Sequence, residues 1–201
     1  MTIRCFFDYG CSFLVKGITV NMDKRLIFNS ESLNITIKRL CYQLIENHYD
    51  FSNSVILGLQ PKGVYLTEKI KKHLIENFGI TVAIGSLDST FNRDDFRRRE
   101  IDIIPNAMHV PFSLEGKKVI VVDDVLYTGR SVRAGLDAML SFGRPSSVEL
   151  LVLINRKYSR ELPIEPKYVG KSVNTIATEK VLVELTEQGA DEDNVWLVNK
   201  R

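Results

Sequence analysis

Three uninterrupted apolar runs constrain this chain more than any other feature: SVILGL at 54–59, KKVIVVDD at 117–124 and SVELLVLIN at 147–155. KKVIVVDD does not alternate apolar with polar residues, so it reads as a strand buried on both faces, as in a parallel sheet covered by helices. Amphipathic helical patterns lie between the runs. Leu33, Ile37, Leu40, Cys41, Leu44 and Ile45 share one helical face, with Asn29 or Ser30 available as the cap. Leu66, Ile70 and Leu74 form a second stripe, and Val132, Leu136, Met139 and Leu140 a third face expected to point inward. ITVAIGSLD at 80–88 reads as a further strand. Strands alternating with helices, over connections too long for hairpins, predict an α/β fold: a mostly parallel twisted sheet flanked by helices. Beyond Arg156 come turns and short strands without another amphipathic helix, which predicts a small C-terminal hood over 157–201.

A chain of 201 residues supports one substantial core, assigned here to a single domain over 26–201. Residues 1–25 show no sustained period and read as an N-terminal extension, either disordered or outside the native protein; organised pattern begins at Met22, a second candidate start. The stretch STFNRDDFRRREIDIIPNAMHV is polar and aperiodic at first, which predicts a flexible loop over 89–109. A net charge of +2 demands neither a nucleic-acid nor a membrane partner, and no apolar run approaches the roughly 20 residues of a membrane-spanning helix. Three cysteines (Cys5, Cys11, Cys41) without a CxxC pair argue against a disulfide framework or zinc site and for a reducing compartment. Asp8 interrupts the apolar start and no clear small-residue cleavage site follows, so a cytoplasmic location is expected.

Chemistry concentrates in VIVVDDVLYTGRS at 119–131. Asp123 and Asp124 fall at the carboxyl end of a parallel strand, where open α/β sheets bind ligands. Helix capping accounts for one acid but not for two. The following residues, Val125, Leu126, Tyr127, Thr128, Gly129, Arg130 and Ser131, offer successive backbone N–H groups and a helix N-terminus, a setting for one phosphate. Gly129 permits close approach, and the hydroxyls of Thr128 and Ser131 complete the cradle. Two carboxylates beside it would repel a second phosphate, so they suit neutral hydrogen-bond donors such as the vicinal hydroxyls of a ribose. Neither GxGxxG after a strand nor GxxxxGK[ST] is present, which disfavours dinucleotide and kinase-type readings.

This stretch resembles the phosphoribosyl-pyrophosphate (PRPP) signature of type I phosphoribosyltransferases. The longer run VDDVLYTGRSVRAGLDAM, with GLQPKGVYL, STFNRDD, RELPI and YVGK…TEKVLVEL in order, is similar to the PyrR family of bifunctional pyrimidine-operon RNA regulators and uracil phosphoribosyltransferases. The resemblance implies that Gln60, Pro61, Lys62 and Gly63 hold the pyrophosphate; alone, the same residues are a turn into a helix. It implies catalytic roles for Lys62 and for Arg93, the latter on a lid that neutralises departing pyrophosphate, where the bland alternative is a solvated loop tip. Arg156 resembles a substrate-contacting arginine, or is an ordinary arginine after a strand. Base recognition is expected from the hood, at Val169, Gly170, Lys171 and Val181.

The implied reaction joins uracil to PRPP, giving UMP and pyrophosphate, with Mg2+ arriving on PRPP and held by few or no side chains. Many purine-specific relatives carry an acid three residues after the second aspartate; here that residue is Tyr127, which suits a pyrimidine. Binding of an mRNA leader is the family's second role, with Lys38, Arg39, Arg160 and Lys171 as candidates on a homo-oligomer. Tyr42 and Ser159 replace the family's usual histidines near these residues. An RNA-binding regulator with little catalysis, and a phosphoribosyltransferase for another base, are the alternative readings.

Overall fold

The computed structural model describes residues 24–88, 108–176 and 178–199, and in it the three apolar runs are central strands of one sheet. In chain order the elements are β1 (Lys24–Phe28), α1 (Ser30–His48), β2 (Ser54–Leu59), α2 (Lys62–Phe78), β3 (Ala83–Leu87) and β4 (Lys118–Leu126). Then follow α3 (Arg130–Met139), β5 (Ser147–Lys157), β6 (Tyr168–Asn174), β7 (Glu179–Glu184) and β8 (Asn194–Asn199). The large sheet runs β3-β2-β4-β5-β6, and every neighbouring pair in it is parallel.

Val119–Val122 of β4 are apolar without alternation because both faces of the strand are covered. Ile120 and Val122 pack with Leu40, Leu44 and Leu66 of α1 and α2 on one side. Val119 and Val121 pack with Val132 and Met139 of α3 on the other. α1 begins where its sequence pattern predicts: Asn29 accepts from the Ser32 N–H at 2.9 Å while Ser32 Oγ accepts from the Asn29 N–H at 3.0 Å, a reciprocal cap. Cys41 is buried against this face, and burial pushes its thiol up to about 12, so it is an inert apolar filler. Cys5 and Cys11 lie outside the described residues.

Two expectations need correction. Leu140 does not point inward: α3 stops at Met139, a 3-10 turn over Leu140–Phe142 follows, and Leu140 is 63% exposed. Lys24 and Arg25, read as part of an aperiodic extension, belong to β1; residues 1–23 lie outside the described residues.

The segment after Arg156 divides in two. β6 joins the edge of the large sheet beside β5, whereas β7 and β8 form a three-stranded antiparallel sheet with β1, in the order β1-β8-β7. Buried cations fasten this small sheet to the rest. Lys69 of α2 places Nζ 2.8 Å from Glu187 Oε1 and 2.8 Å from Asp193 Oδ2, and Asp193 also accepts from the Thr186 N–H at 2.8 Å. Burial works to lower the Lys69 pKa, but its bonds to Asp193 and Glu187 outweigh that and hold it above the ordinary lysine value.

At the opposite end of the sheet, His48 closes a second polar network. Its Nδ1 is 2.8 Å from Ser54 Oγ and its Nε2 3.0 Å from Glu149 Oε2, which also accepts from the Tyr168 hydroxyl at 2.7 Å. Lys167 Nζ contacts the other Glu149 oxygen at 2.6 Å. Burial holds His48 below the ordinary histidine value against the opposing pull of Glu149. Among the described residues no helix is long and apolar enough to cross a membrane.

Candidate active site

The carboxyl ends of β2, β4 and β5 converge on the loop 127–131. In a regular strand, residues three apart face opposite sides. β4 keeps that regularity: its register with β5 runs unbroken through the acids, Asp123 opposite Val152 and Val125 opposite Ile154, so the neighbouring carboxylates start from opposite faces of the strand. Each carboxylate also ties down the next peptide: Asp123 Oδ1 accepts from the Asp124 N–H at 3.0 Å and Asp124 Oδ1 from the Val125 N–H at 2.8 Å.

Asp123 lines a concavity of about 220 Å³ together with Val125–Gly129, Ser131 and Val132. Asp124 lies toward Lys62. Burial raises the Asp124 pKa above the ordinary carboxylate value, and the Lys62 charge acts in the opposite direction.

Gly63, in the first turn of α2, sits against β4 at these acids. A Cβ there would come within 2.3 Å of the Val122 carbonyl oxygen and 3.2 Å of Asp123 Cα, so only glycine lets α2 start this close to the strand. Lys62, one residue earlier, donates from Nζ to the Val183 carbonyl of β7 at 3.0 Å. The pyrophosphate-loop candidate thus bridges the main sheet and the small one. Gln60 continues the β2–β3 ladder, its N–H donating to the Leu87 carbonyl at 2.9 Å, and Pro61 is exposed.

The outer side of the 127–131 loop is braced by residues 155–164. Arg160 donates to the Tyr127 carbonyl and, at 2.7 Å, to Asn155 Oδ1. The Thr128 carbonyl accepts from the N–H groups of Glu161 at 3.1 Å and Leu162 at 3.2 Å. Arg130 Nε meets Glu161 Oε2 at 2.7 Å. Gly129, at φ +93°, packs its Cβ-less face against Leu162 and Ile164. Glu161, Leu162 and Asn155 are therefore site-supporting residues that sequence reasoning missed; RELPI stood out as a motif, but nothing in its spacing reveals what it leans on.

Arg156 is buried at 5% exposure, with its guanidinium 4.0 Å from the centre of the Tyr127 ring. It also donates to Thr175 Oγ1 at 2.8 Å and to the Glu179 carbonyl at 3.0 Å, linking loop 127–131 to the start of β7. Of the expected base-reading residues, Val181 has its side chain in the core. Val169 and Gly170 lie on β6, where their carbonyls accept from Arg39 at 3.1 Å and 2.6 Å. Lys171 donates to the Ile27 carbonyl at 3.3 Å and rests on the Phe28 ring. None of these four lines the concavity beside Asp123. Among the RNA candidates, Lys38 is exposed, while Arg39, Arg160 and Lys171 each hold a main-chain carbonyl. Arg93, and the loop expected over 89–109 as far as residue 107, lie outside the described residues.

A profile of the Phosphoribosyl transferase domain family matches residues 27–188. A Listeria monocytogenes protein named Bifunctional protein PyrR is 40% identical over 183 residues, spanning 89% of this chain and 99% of its own. The Bacillus subtilis protein of that name is 37% identical over 166 residues, spanning 82% and 91%. Among solved structures, a Trypanosoma cruzi hypoxanthine phosphoribosyltransferase in complex with IMP matches with a TM-score of 0.66 at 16% identity, covering 89% of this chain and 91% of that one. A Staphylococcus aureus hypoxanthine phosphoribosyltransferase gives 0.58 at 23% identity, covering 75% and 78%. At these identities the structural likeness is one of fold.

Proposed function

The chain belongs to the phosphoribosyl transferase domain family and, within it, to the bifunctional PyrR proteins, and from that membership and the geometry above we propose that it forms UMP and pyrophosphate from uracil and PRPP. The observation that carries the reading is a concavity lined by both Asp123 and Val125–Gly129, at the carboxyl edge of a parallel sheet. The 5′-phosphate rests on loop 125–131, and the acids take the ribose hydroxyls. Pyrophosphate lies over Gln60–Gly63, where Lys62 exchanges its Val183 carbonyl for phosphate oxygens.

Chemistry at this site is chiefly positioning and charge stabilisation. As the bond to pyrophosphate breaks, Lys62, with Arg93, balances charge on the leaving group, and the carboxylates lie beside an oxocarbenium-like ribosyl centre. Uracil N1, its proton lost to water, attacks from the opposite face. Tyr127, pinned under Arg156, puts a neutral ring where an acid serves purine-specific relatives, which favours a pyrimidine. The base sits near the Arg156 link to β7 and the hood residues, Val181 among them. Among the described residues no three acids, histidines or cysteines cluster to hold a metal by themselves. Mg2+ would arrive on PRPP, held by few or no side chains with Asp123 and Asp124 as the nearby carboxylates, and would supply neutralisation of the departing charge.

The relatives' bifunctional name supports a second role, in which a cytoplasmic homo-oligomer binds an mRNA leader in response to UMP. Incubating the chain with PRPP, Mg2+ and labelled uracil, hypoxanthine or guanine tests the first role, and a mobility shift of leader RNA with and without UMP tests the second. Labelled UMP from uracil is the expected product. Nucleotide from a purine alone would assign another substrate, and a UMP-dependent shift with no nucleotide formed would make the chain a sensor and not an enzyme.

A further inference from the structure

We propose that Arg160, together with the main-chain N–H groups of Glu161 and Leu162, is a positioning element that turns the peptides of loop 127–129 toward the 5′-phosphate. The proposal rests on the phosphoribosyl reading and deepens it.

A trans peptide carries its C=O and N–H on opposite sides. Holding a carbonyl on one side of a loop therefore commits the next N–H to the other side. Arg160 holds the Tyr127 carbonyl, which turns the Thr128 N–H away from it. Glu161 and Leu162 together hold the Thr128 carbonyl, which turns the Gly129 N–H the same way. No residue of 160–164 lines the concavity beside Asp123, whereas Thr128 and Gly129 do. The bracket is thus on the outer side of the loop and the two N–H groups are directed inward, where an anion would sit.

Arginine fits this position for two reasons. Its planar fork addresses the Tyr127 carbonyl and Asn155 Oδ1 together, whereas a lysine ammonium lacks that rigid fork. A cation on a peptide carbonyl also polarises that peptide and strengthens its N–H as a donor. Gly129 against Leu162 and Ile164, and Arg130 against Glu161, close the bracket so that the loop has little freedom to flip. Arg160, read from sequence as an RNA contact, thereby acts on the nucleotide site through main-chain geometry.

Calorimetric affinities for UMP and uridine, measured on the full chain and on Arg160→Ala and Arg160→Lys, isolate the phosphate contribution as the ratio of the two dissociation constants. Arg160→Ala is expected to reduce that ratio by about tenfold, the scale of weakened hydrogen bonds to a charged group, with uridine affinity unchanged. The KM for PRPP should rise while the KM for uracil stays put, and Arg160→Lys should fall between the two. Arg160→Lys carries the test alone if Arg160→Ala does not fold. A ratio equal to that of the unaltered chain, or UMP and uridine weakened in equal proportion, would overturn the proposal. An unaltered chain that prefers UMP but makes no nucleotide from uracil removes the proposed reaction and leaves this inference to the variants. One with no preference for the phosphate overturns both.

Discussion

A carboxylate withdrawn from water costs stability when it ionises, and Asp124 is held in that position. Unfolded, it titrates near 3.8; folded, burial raises that value despite the nearby Lys62 charge. Between the two values the folded chain binds the extra proton, so stability falls as pH rises through that window. Asp124→Asn is uncharged at every pH. It is expected to raise Tm at pH 7, by about 2–4 °C for each kcal/mol recovered, while lowering PRPP-dependent turnover by roughly 10- to 100-fold. Calorimetry beside a steady-state assay checks both halves, and a lower Tm would mean that attraction to Lys62 outweighs burial. Much at this scale was legible: adjacent acids before a glycine-containing loop announce themselves. The partners of Lys62 and Arg160 were not, because Val183 and Tyr127 are brought to them by the tertiary fold and by no local spacing.

Whole elements show where local pattern decides and where it does not. β2, β4 and β5 could be read directly because burial on both faces keeps the middle of each strand apolar. β1 and β6 could not: KRLIF and YVGKSVN are mixed segments whose pairing is chosen by β8 and β5. The packing of α2 on β4 depends on one missing methyl group. Gly63→Ala would drive a Cβ into the Val122 carbonyl, so it should lower Tm and weaken PRPP binding together, seen in a melt and a titration on the same sample. The α1–β2–β5–β6 junction predicts a pH dependence. His48 takes up its proton below 6.5 when folded, because burial lowers its pKa, whereas the unfolded chain takes one up near 6.5. Stability is therefore lost as pH falls through 6.5 toward the folded value. His73, lowered by burial and by Lys69, adds to the same window. Tm measured from pH 7.5 down to 5.5 should decline, and His48→Gln should flatten the slope without abolishing it.

Across the whole molecule, the small sheet is held by charge as well as by its apolar face. Lys69, Glu187 and Asp193 span α2 and the β7–β8 region, and Lys69 and Asp193 are almost fully buried. Lys69→Ala would strand two carboxylates, and is expected to cost about 3 kcal/mol or more, with faster amide hydrogen exchange in β7 and β8 than in β4. Nothing in the α2 pattern hints at this, since a lysine on an amphipathic helix ordinarily faces solvent. The antiparallel seam between β1 and β8 also has a consequence for synthesis. A ribosome adds roughly 5–20 residues each second, so β1 waits on the order of 10 s for the strand that completes its hydrogen bonds. Until then β7, whose neighbour in this sheet is β8, has no strand to fix the Val183 carbonyl that Lys62 holds.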